Sequence, residues 1–260
     1  MKIGIFDSGI GGLSILEKAV SCIPDAEYIY YADTEHVPYG SKSLEEIRGY
    51  CDSIVQFLIS KGCEIIVIAC NTATSVAASY LRARYSNIPI LGIEPAVKPA
   101  VLARREGRIL VIATPLTVKE EKLNDLVARV DDQHVTDMKA LGRLPEFAER
   151  GEFDSPAVID YLDNEFSDCD MSCYSEVVLG CTHFIQFVPV LRRYFKENIC
   201  FIDGVEGTVR NLANKVGNID SKGNAFSIDY YKSGRAADEK EIEFFQSVMN
   251  RIREITCAEI

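Results

Sequence analysis

The chain has 260 residues, of which 47% are hydrophobic, 26% charged and 9% aromatic, the balance of a globular chain with a core rather than of a disordered or fibrous one. Its 28 Lys and Arg against 39 Asp and Glu leave a formal charge of −11, which repels phosphate backbones and anionic lipid and argues against nucleic-acid or membrane partners. No apolar run reaches the roughly 18 residues of a membrane span, and Met1–Phe6 reads as a strand rather than a leader peptide, so a cytoplasmic location is expected.

In chain order, the apolar runs IGIF at 3–6, YIYYA at 28–32, EIIVIA at 64–69, PILGI at 89–93, RILVIA at 108–113, EVVLG at 176–180 and CFI at 200–202 predict buried parallel strands. Between them, LSILEKAV at 13–20, the stretch 44–60 and VKEEKLNDLVARV at 118–130 carry apolar residues at helical spacing. Strands alternating with helices mean an α/β fold with mainly parallel sheets. Strand ends also recur in order: Asp7, Cys70 and Glu94 in the first half, Thr114, Cys181 and Asp203 in the second. Such a duplication predicts two pseudo-symmetric α/β lobes with a site in the cleft between them, because ligands of parallel sheets sit at the carboxyl ends of strands. The first lobe is expected to comprise 1–96 plus 207–260 and the second 97–206, with Pro95 and Pro99 bracketing the first crossing and a second crossing near Gly204–Gly207. AFSIDYY at 225–231 and a helix over 237–252 would complete the first lobe, and the acidic stretch 163–176 reads as a solvated connection.

The nine cysteines form no Cys-x-x-Cys pair, so reduced thiols are expected, with Cys22, Cys51, Cys63, Cys200 and Cys257 as small buried apolar side chains. Cys169 and Cys173 lack a nearby His and make a poor metal site. Cys70 and Cys181 differ, since each ends an apolar strand and precedes a helical pattern, as Cys70-Asn71-Thr72-Ala73-Thr74 and Cys181-Thr182-His183. A thiol at a helix N-terminus has its thiolate favoured by unpaired N–H groups, which predicts a lowered pKa, while Asn71, Thr72 and Thr182 supply donors for a carboxylate. The bland alternative is a small residue at a tight strand-to-helix joint with Asn or Thr as its cap.

Asp7-Ser8-Gly9-Ile10-Gly11-Gly12 after the first strand lets the backbone approach a ligand and offers N–H groups to an anion. A dinucleotide site with Asp33 on the ribose competes, but Ser14 stands where the third glycine of that fingerprint belongs. His183 could exchange a proton with Cys181, and Asp7 could serve Cys70; His36 and His134 look isolated. Two thiols facing across a crevice suit removal of a proton from one face of a tetrahedral carbon and its return on the other, which is racemisation. A metal site from Cys70, Cys181, His183 and Asp7, or an anion-binding cleft without turnover, would use the same atoms.

The runs FDSGIGGLSIL at 6–16, VPYGSKS at 37–43, VIACNTAT at 67–74, LGIEPAVKPA at 91–100 and LGCTHF at 179–184 resemble those of the glutamate racemases, cofactor-independent enzymes that supply D-glutamate for bacterial cell walls. The resemblance implies two pseudo-symmetric lobes, glutamate as the small-molecule substrate, no cofactor or metal, and is compatible with a homodimer. It further implies that Cys70 takes the α-proton of D-glutamate and Cys181 that of L-glutamate, with Asp7 and His183 assisting. Substrate binding would fall to Asp7, Ser8, Tyr39, Gly40, Asn71, Thr72, Thr114, Thr117, Thr182 and His183. Thr74 and His183 stand where related aspartate racemases carry His and Glu, so glutamate is the expected substrate. Ile185 replaces a frequent proline, and LGRLPEFAERG at 141–151 departs from the family's Cys-Pro and Val-Glu-x-Gly runs, which leaves the family's additional acid unassigned at Glu149. With the first strand starting at residue 2, regulation through an N-terminal extension is not expected.

Overall fold

A computed structural model of the protein describes residues 1–103, 105–217 and 227–258. The chain runs β1 (Lys2–Asp7), α1 (Leu13–Cys22), β2 (Glu27–Ala32), α2 (Leu44–Ser60), β3 (Ile65–Ile68), α3 (Asn71–Arg84), β4 (Ile90–Gly92) and α4 (Val97–Ala103). It continues through β5 (Arg108–Ala113), α5 (Pro115–Lys119), α6 (Glu121–Val130), β6 (Thr136–Ala140), α7 (Leu144–Glu149), α8 (Pro156–Phe166), β7 (Tyr174–Leu179), α9 (Val188–Leu191) and β8 (Cys200–Ile202). The described chain closes with α10 (Val205–Val216), β9 (Ser227–Lys232), β10 (Arg235–Ala236) and α11 (Glu239–Ala258).

The strands form two sheets, ordered β10-β9-β2-β1-β3-β4 and β6-β5-β7-β8. Every pairing is parallel except β9 with β10. The two sheets share one plan: in each, the first strand of the unit lies between the second and third, and the fourth flanks the third. The mixed α/β class with mainly parallel sheets, expected from the rhythm of apolar runs, is what the chain adopts.

Side chains explain why those runs are continuous rather than alternating. In β3, Ile65 and Val67 enter one apolar cluster while Ile66 and Ile68 enter another on the opposite face. In β5, Leu110 and Ile112 join the cluster that holds Ile65, whereas Ile109 and Val111 join a third. Both sheets are thus covered on both faces, as parallel sheets require, and one apolar cluster runs through residues of both.

Several expectations are corrected. The helix read over 118–130 is broken at Glu120, whose extended backbone (φ −67°, ψ 133°) separates α5 from α6; the Asn124 amide secures the break by donating to the Val118 and Glu120 carbonyls. The stretch 163–176 is not one solvated connection, because its start is the last turn of α8 with Phe166 in the core, and Glu176 lies buried within β7. β6 had no apolar run to announce it, since all five of its residues are only half-buried. Cys22 and Cys257 are exposed and Cys200 half-buried, whereas Cys51 and Cys63 are buried as expected. Of AFSIDYY at 225–231, Ala225 and Phe226 lie outside the described residues, and the remainder forms β9. The last helix runs from Glu239, two residues later than expected, to Ala258.

Candidate active site

Asp7, Cys70, Thr114 and Cys181 stand at or just past the carboxyl ends of β1, β3, β5 and β7. All four are buried, as are Ser8, Tyr39, Asn71, Thr72, Thr117, Thr182 and His183. Contacts across the two sheets draw them together. Thr72 Oγ1, at the start of α3, lies 3.2 Å from Thr114 Oγ1 and 3.1 Å from Thr117 Oγ1. Thr114 and Thr117 hydroxyls are 2.9 Å apart, and the Thr114 oxygen also caps α5 by accepting from the Thr117 amide. Gly40 packs on the same threonine, where a Cβ would sit 3.0 Å from that of Thr114.

The glycine-bearing loop after β1 meets the second sheet's residues at contact distance. A Cβ at Gly9 would overlap the Glu149 carboxylate, and one at Gly11 would fall 2.5 Å from Thr182 Oγ1 and 2.8 Å from the His183 amide nitrogen. The glycines are therefore needed for close approach of backbone to side chains. The loop's N–H groups already hold carboxylates of the chain itself: Gly12 donates to Asp7 Oδ2 at 2.8 Å and Ile10 to Glu149 Oε1 at 2.7 Å. The expected anion-binding role of these two amides is thus taken up internally.

Cys70 is the N-cap of α3, and its sulfur accepts from the Ala73 amide at 3.5 Å. Ser8 Oγ, rather than Asp7, is the side chain in hydrogen-bond reach of that sulfur, at 3.7 Å. The expected fall in its pKa is overturned. Burial pushes the Cys70 thiol well above its ordinary value, the charges of Asp7 and Cys181 add to this, and the Ala73 amide and Ser8 hydroxyl pull back only in part. Helix N-termini favour a thiolate, but desolvation here is the larger effect.

Cys181 precedes a 3-10 helix over Thr182–Phe187 and makes no side-chain cap, so the helix-end argument transfers to it poorly. Its sulfur has a different partner, His183 Nδ1 at 3.8 Å. The other ring nitrogen, Nε2, lies 2.7 Å from Glu149 Oε1. Burial alone would lower the His183 pKa, yet the hydrogen bonds to Cys181 and Glu149 outweigh it and hold the imidazole well above its usual range. As an imidazolium it donates from both nitrogens, to the Cys181 sulfur and to the carboxylate. Glu149, at the last turn of α7, therefore joins the site and ties His183 to the loop after β1.

Asp7 is raised by its burial, against the lowering influence of His183 and the Gly12 amide. Its Oδ1, both polar atoms of the Asn71 amide and Thr182 Oγ1 are buried with no hydrogen-bond partner among the described residues. Buried polar atoms left unpaired cost about 1–3 kcal/mol each, and these four belong to residues at the carboxyl ends of β1, β3 and β7, where they are available to a polar ligand.

The loop that carries Tyr39 and Gly40 has its own support. The Tyr39 hydroxyl donates to Asp33 Oδ2 at 2.5 Å, and His36 Nδ1 lies 2.8 Å from Asp33 Oδ1 while its ring stacks on Tyr50 at 3.8 Å between centroids. Asp33 is thus occupied by side chains rather than poised for a ribose, and His36 is not isolated; the i,i+3 spacing of Asp33 and His36 was the available signal. Among the described residues no group of three or more His, Cys, Asp or Glu has the arrangement of a metal site, and no helix is long and apolar enough to cross a membrane.

Residues 13–212 match the family described as Asp/Glu/Hydantoin racemase. The chain is 48% identical over 266 aligned positions to the glutamate racemase of Lachnospira eligens, covering 98% of this chain and 100% of that one. To glutamate racemase 2 of Bacillus subtilis it is 42% identical, with 93% and 92% covered. Among solved structures it is similar to Escherichia coli glutamate racemase in complex with L-glutamate and the activator UDP-MurNAc-Ala, with a TM-score of 0.83, 28% identity, and 96% and 94% of the two chains covered. The glutamate racemase of Campylobacter jejuni gives a TM-score of 0.79 at 29% identity, over 96% and 98%.

Proposed function

From a chain that belongs to the Asp/Glu/Hydantoin racemase family, we propose a glutamate racemase that interconverts L- and D-glutamate by two-base chemistry, with Cys70 and Cys181 as the bases. The observation that carries this is the placement of two buried thiols at the ends of the corresponding strands β3 and β7, each with its own polar neighbours, around four unpaired polar atoms.

Each thiol has the partners its half of the reaction calls for. With L-glutamate bound, the Cys181 sulfur as thiolate removes the α-proton, while the imidazolium of His183 beside it steadies the negative sulfur beforehand. The Cys70 thiol, kept protonated by burial, delivers its proton to the opposite face of the carbanion. One S–H bond forms as the other breaks, and the enzyme is left with the thiolate at Cys70, ready for D-glutamate. The Asn71 amide and the hydroxyls of Thr182 and the Thr72–Thr114–Thr117 group receive the carboxylates by neutral hydrogen bonds, and Asp7 Oδ1 faces the ammonium. Ser8, Tyr39 and Gly40 close the pocket, and Glu149 acts through His183.

The proposal extends to a first lobe of 1–96 with 207–260 and a second of 97–206, so that the cleft lies between lobes. It includes cofactor independence, supply of D-glutamate to peptidoglycan and thereby to cell shape, a cytoplasmic location and a homodimer, all carried by the likeness to the glutamate racemases. The test is polarimetry on pure L-glutamate. Rotation should decay to zero with the parent protein and persist with Cys70→Ala and with Cys181→Ala, both folded by circular dichroism. Steady rotation with the parent would leave a binding protein, and decay with either variant would remove that thiol from the mechanism.

A further inference from the structure

Beside the buried site lies a small cavity of about 90 Å³, bordered by Asn71 and Thr117 on its inner side and by Glu94, Lys122 and Arg129 on its outer side. Open ligand clefts run to roughly 300–1,000 Å³, so this one is too narrow for an amino acid as it stands. Two contacts beside it each join an element of the first sheet's half to one of the second's. Lys122 Nζ, on α6, pairs with Glu94 Oε1, just past β4, at 2.8 Å. Ser75 Oγ, on α3, lies 3.4 Å from Glu120 Oε2 at the joint between α5 and α6. The first is half-exposed on both sides, and solvent screens an ion pair of that kind, so it can part readily.

We propose that this opening is the route by which glutamate reaches the thiols, that Lys122 with Arg129 draws the anion in, and that Glu94 occupies Lys122 until substrate displaces it. The inference rests on the racemase proposal and adds to it the path and the residues that serve it. The inner end of the route is the Asn71 amide, buried with both polar atoms unpaired, which is a receiving group at the end of the path. The outer end offers two cations on a chain whose net charge of −11 otherwise repels a substrate of like sign. Glu94 and Glu120 offset these two cations, so it is the parting of Lys122 from Glu94 that presents a positive group to an entering anion, an attraction weakened by salt. The break in the helix at Glu120 matters here, because it lets α6 present Lys122 and Arg129 to the cavity while α5 keeps Thr117 in the site.

Opposite signs in two variants test the idea. Lys122→Ala should lower kcat/KM for glutamate about threefold to tenfold at low ionic strength, with kcat within about twofold and most of the difference gone at about 0.15 M salt. Glu94→Gln, which frees Lys122 from its partner, should raise kcat/KM. A pair that merely braces the fold would lower it in both variants, and that result overturns the proposal, as does an unchanged kcat/KM in Lys122→Ala. Should the parent prove not to racemise glutamate, the same two signs are read from the rise in melting temperature that glutamate produces. Absence of any rise in the parent, or a rise indifferent to both substitutions, overturns the route independently of turnover.

Discussion

Replacing Glu149 by Gln removes a charge from the site while keeping an oxygen to accept from Ile10 and His183. In the parent, one carboxylate oxygen takes both bonds, at 2.7 Å each, and its side chain is only 14% exposed, so solvent screens it little. A hydrogen bond to a charged partner is worth roughly 1.5–3 kcal/mol against about 0.5–1.5 for a neutral one. The difference of about 1.4 kcal/mol, one pKa unit, is the expected fall in the His183 titration. The imidazole pKa is raised in the folded protein. Its contribution to stability is therefore fully present below the unfolded value of about 6.5 and is lost as pH rises through the folded one, and in Glu149→Gln that loss moves to lower pH. Nitrogen chemical shifts of the imidazole rings report the titration directly, and with only three histidines in the chain a His183→Asn sample assigns the signal. The alkaline limb of kcat should move down by the same unit, so that kcat falls about tenfold at pH values above both limbs and changes little below them. An unchanged His183 titration in Glu149→Gln would refute the assignment of Glu149 as the group that holds the imidazolium.

Three further outcomes are expected. Gly9→Ala should cost at least tenfold in kcat while leaving the protein folded, because its Cβ overlaps the Glu149 carboxylate and drives it from His183; circular dichroism beside steady-state kinetics checks both halves. Gly204→Ala, whose Cβ would overlap the backbone carbonyl of Glu94 at the meeting of the two inter-sheet connections, should lower stability by about 1–3 kcal/mol in urea denaturation. Glutamate should be turned over at least about tenfold faster than aspartate in kcat/KM, on the order of 1.4 kcal/mol, because a shorter substrate leaves buried donors unpaired; comparable rates would overturn the substrate assignment while leaving the two-thiol chemistry standing.

The strands and the two thiols were legible because their signals are local. Burial of both sheet faces makes each parallel strand a continuous apolar run, and Cys70 and Cys181 follow such runs directly. β6 was not legible, since TDMKA is half-buried throughout and has neither a run nor an alternation to show. The direction of the Cys70 shift is not legible for a related reason: the helix N-terminus is visible in the sequence, but the burial that outweighs it comes from elements distant in the chain. Glu149 is the clearest case of a non-local residue. Nothing in LPEFAE marks its last acid, which gains its role only when the Gly9 loop, lying 139 residues earlier at Ile10, is packed against it. His36 is held through its i,i+3 partner Asp33, a spacing that is local but carries no apolar or motif signal of its own.

The most direct test of the two-base claim is isotope incorporation from deuterated water during the first turnovers. Pure L-glutamate should give D-glutamate labelled at the α-carbon while the remaining L-glutamate stays unlabelled, and pure D-glutamate should give the mirror result, because each thiol protonates only one face. Label appearing early in the unreacted pool as fast as in the product would mean that one base serves both faces, and would contradict the pairing of Cys70 with Cys181.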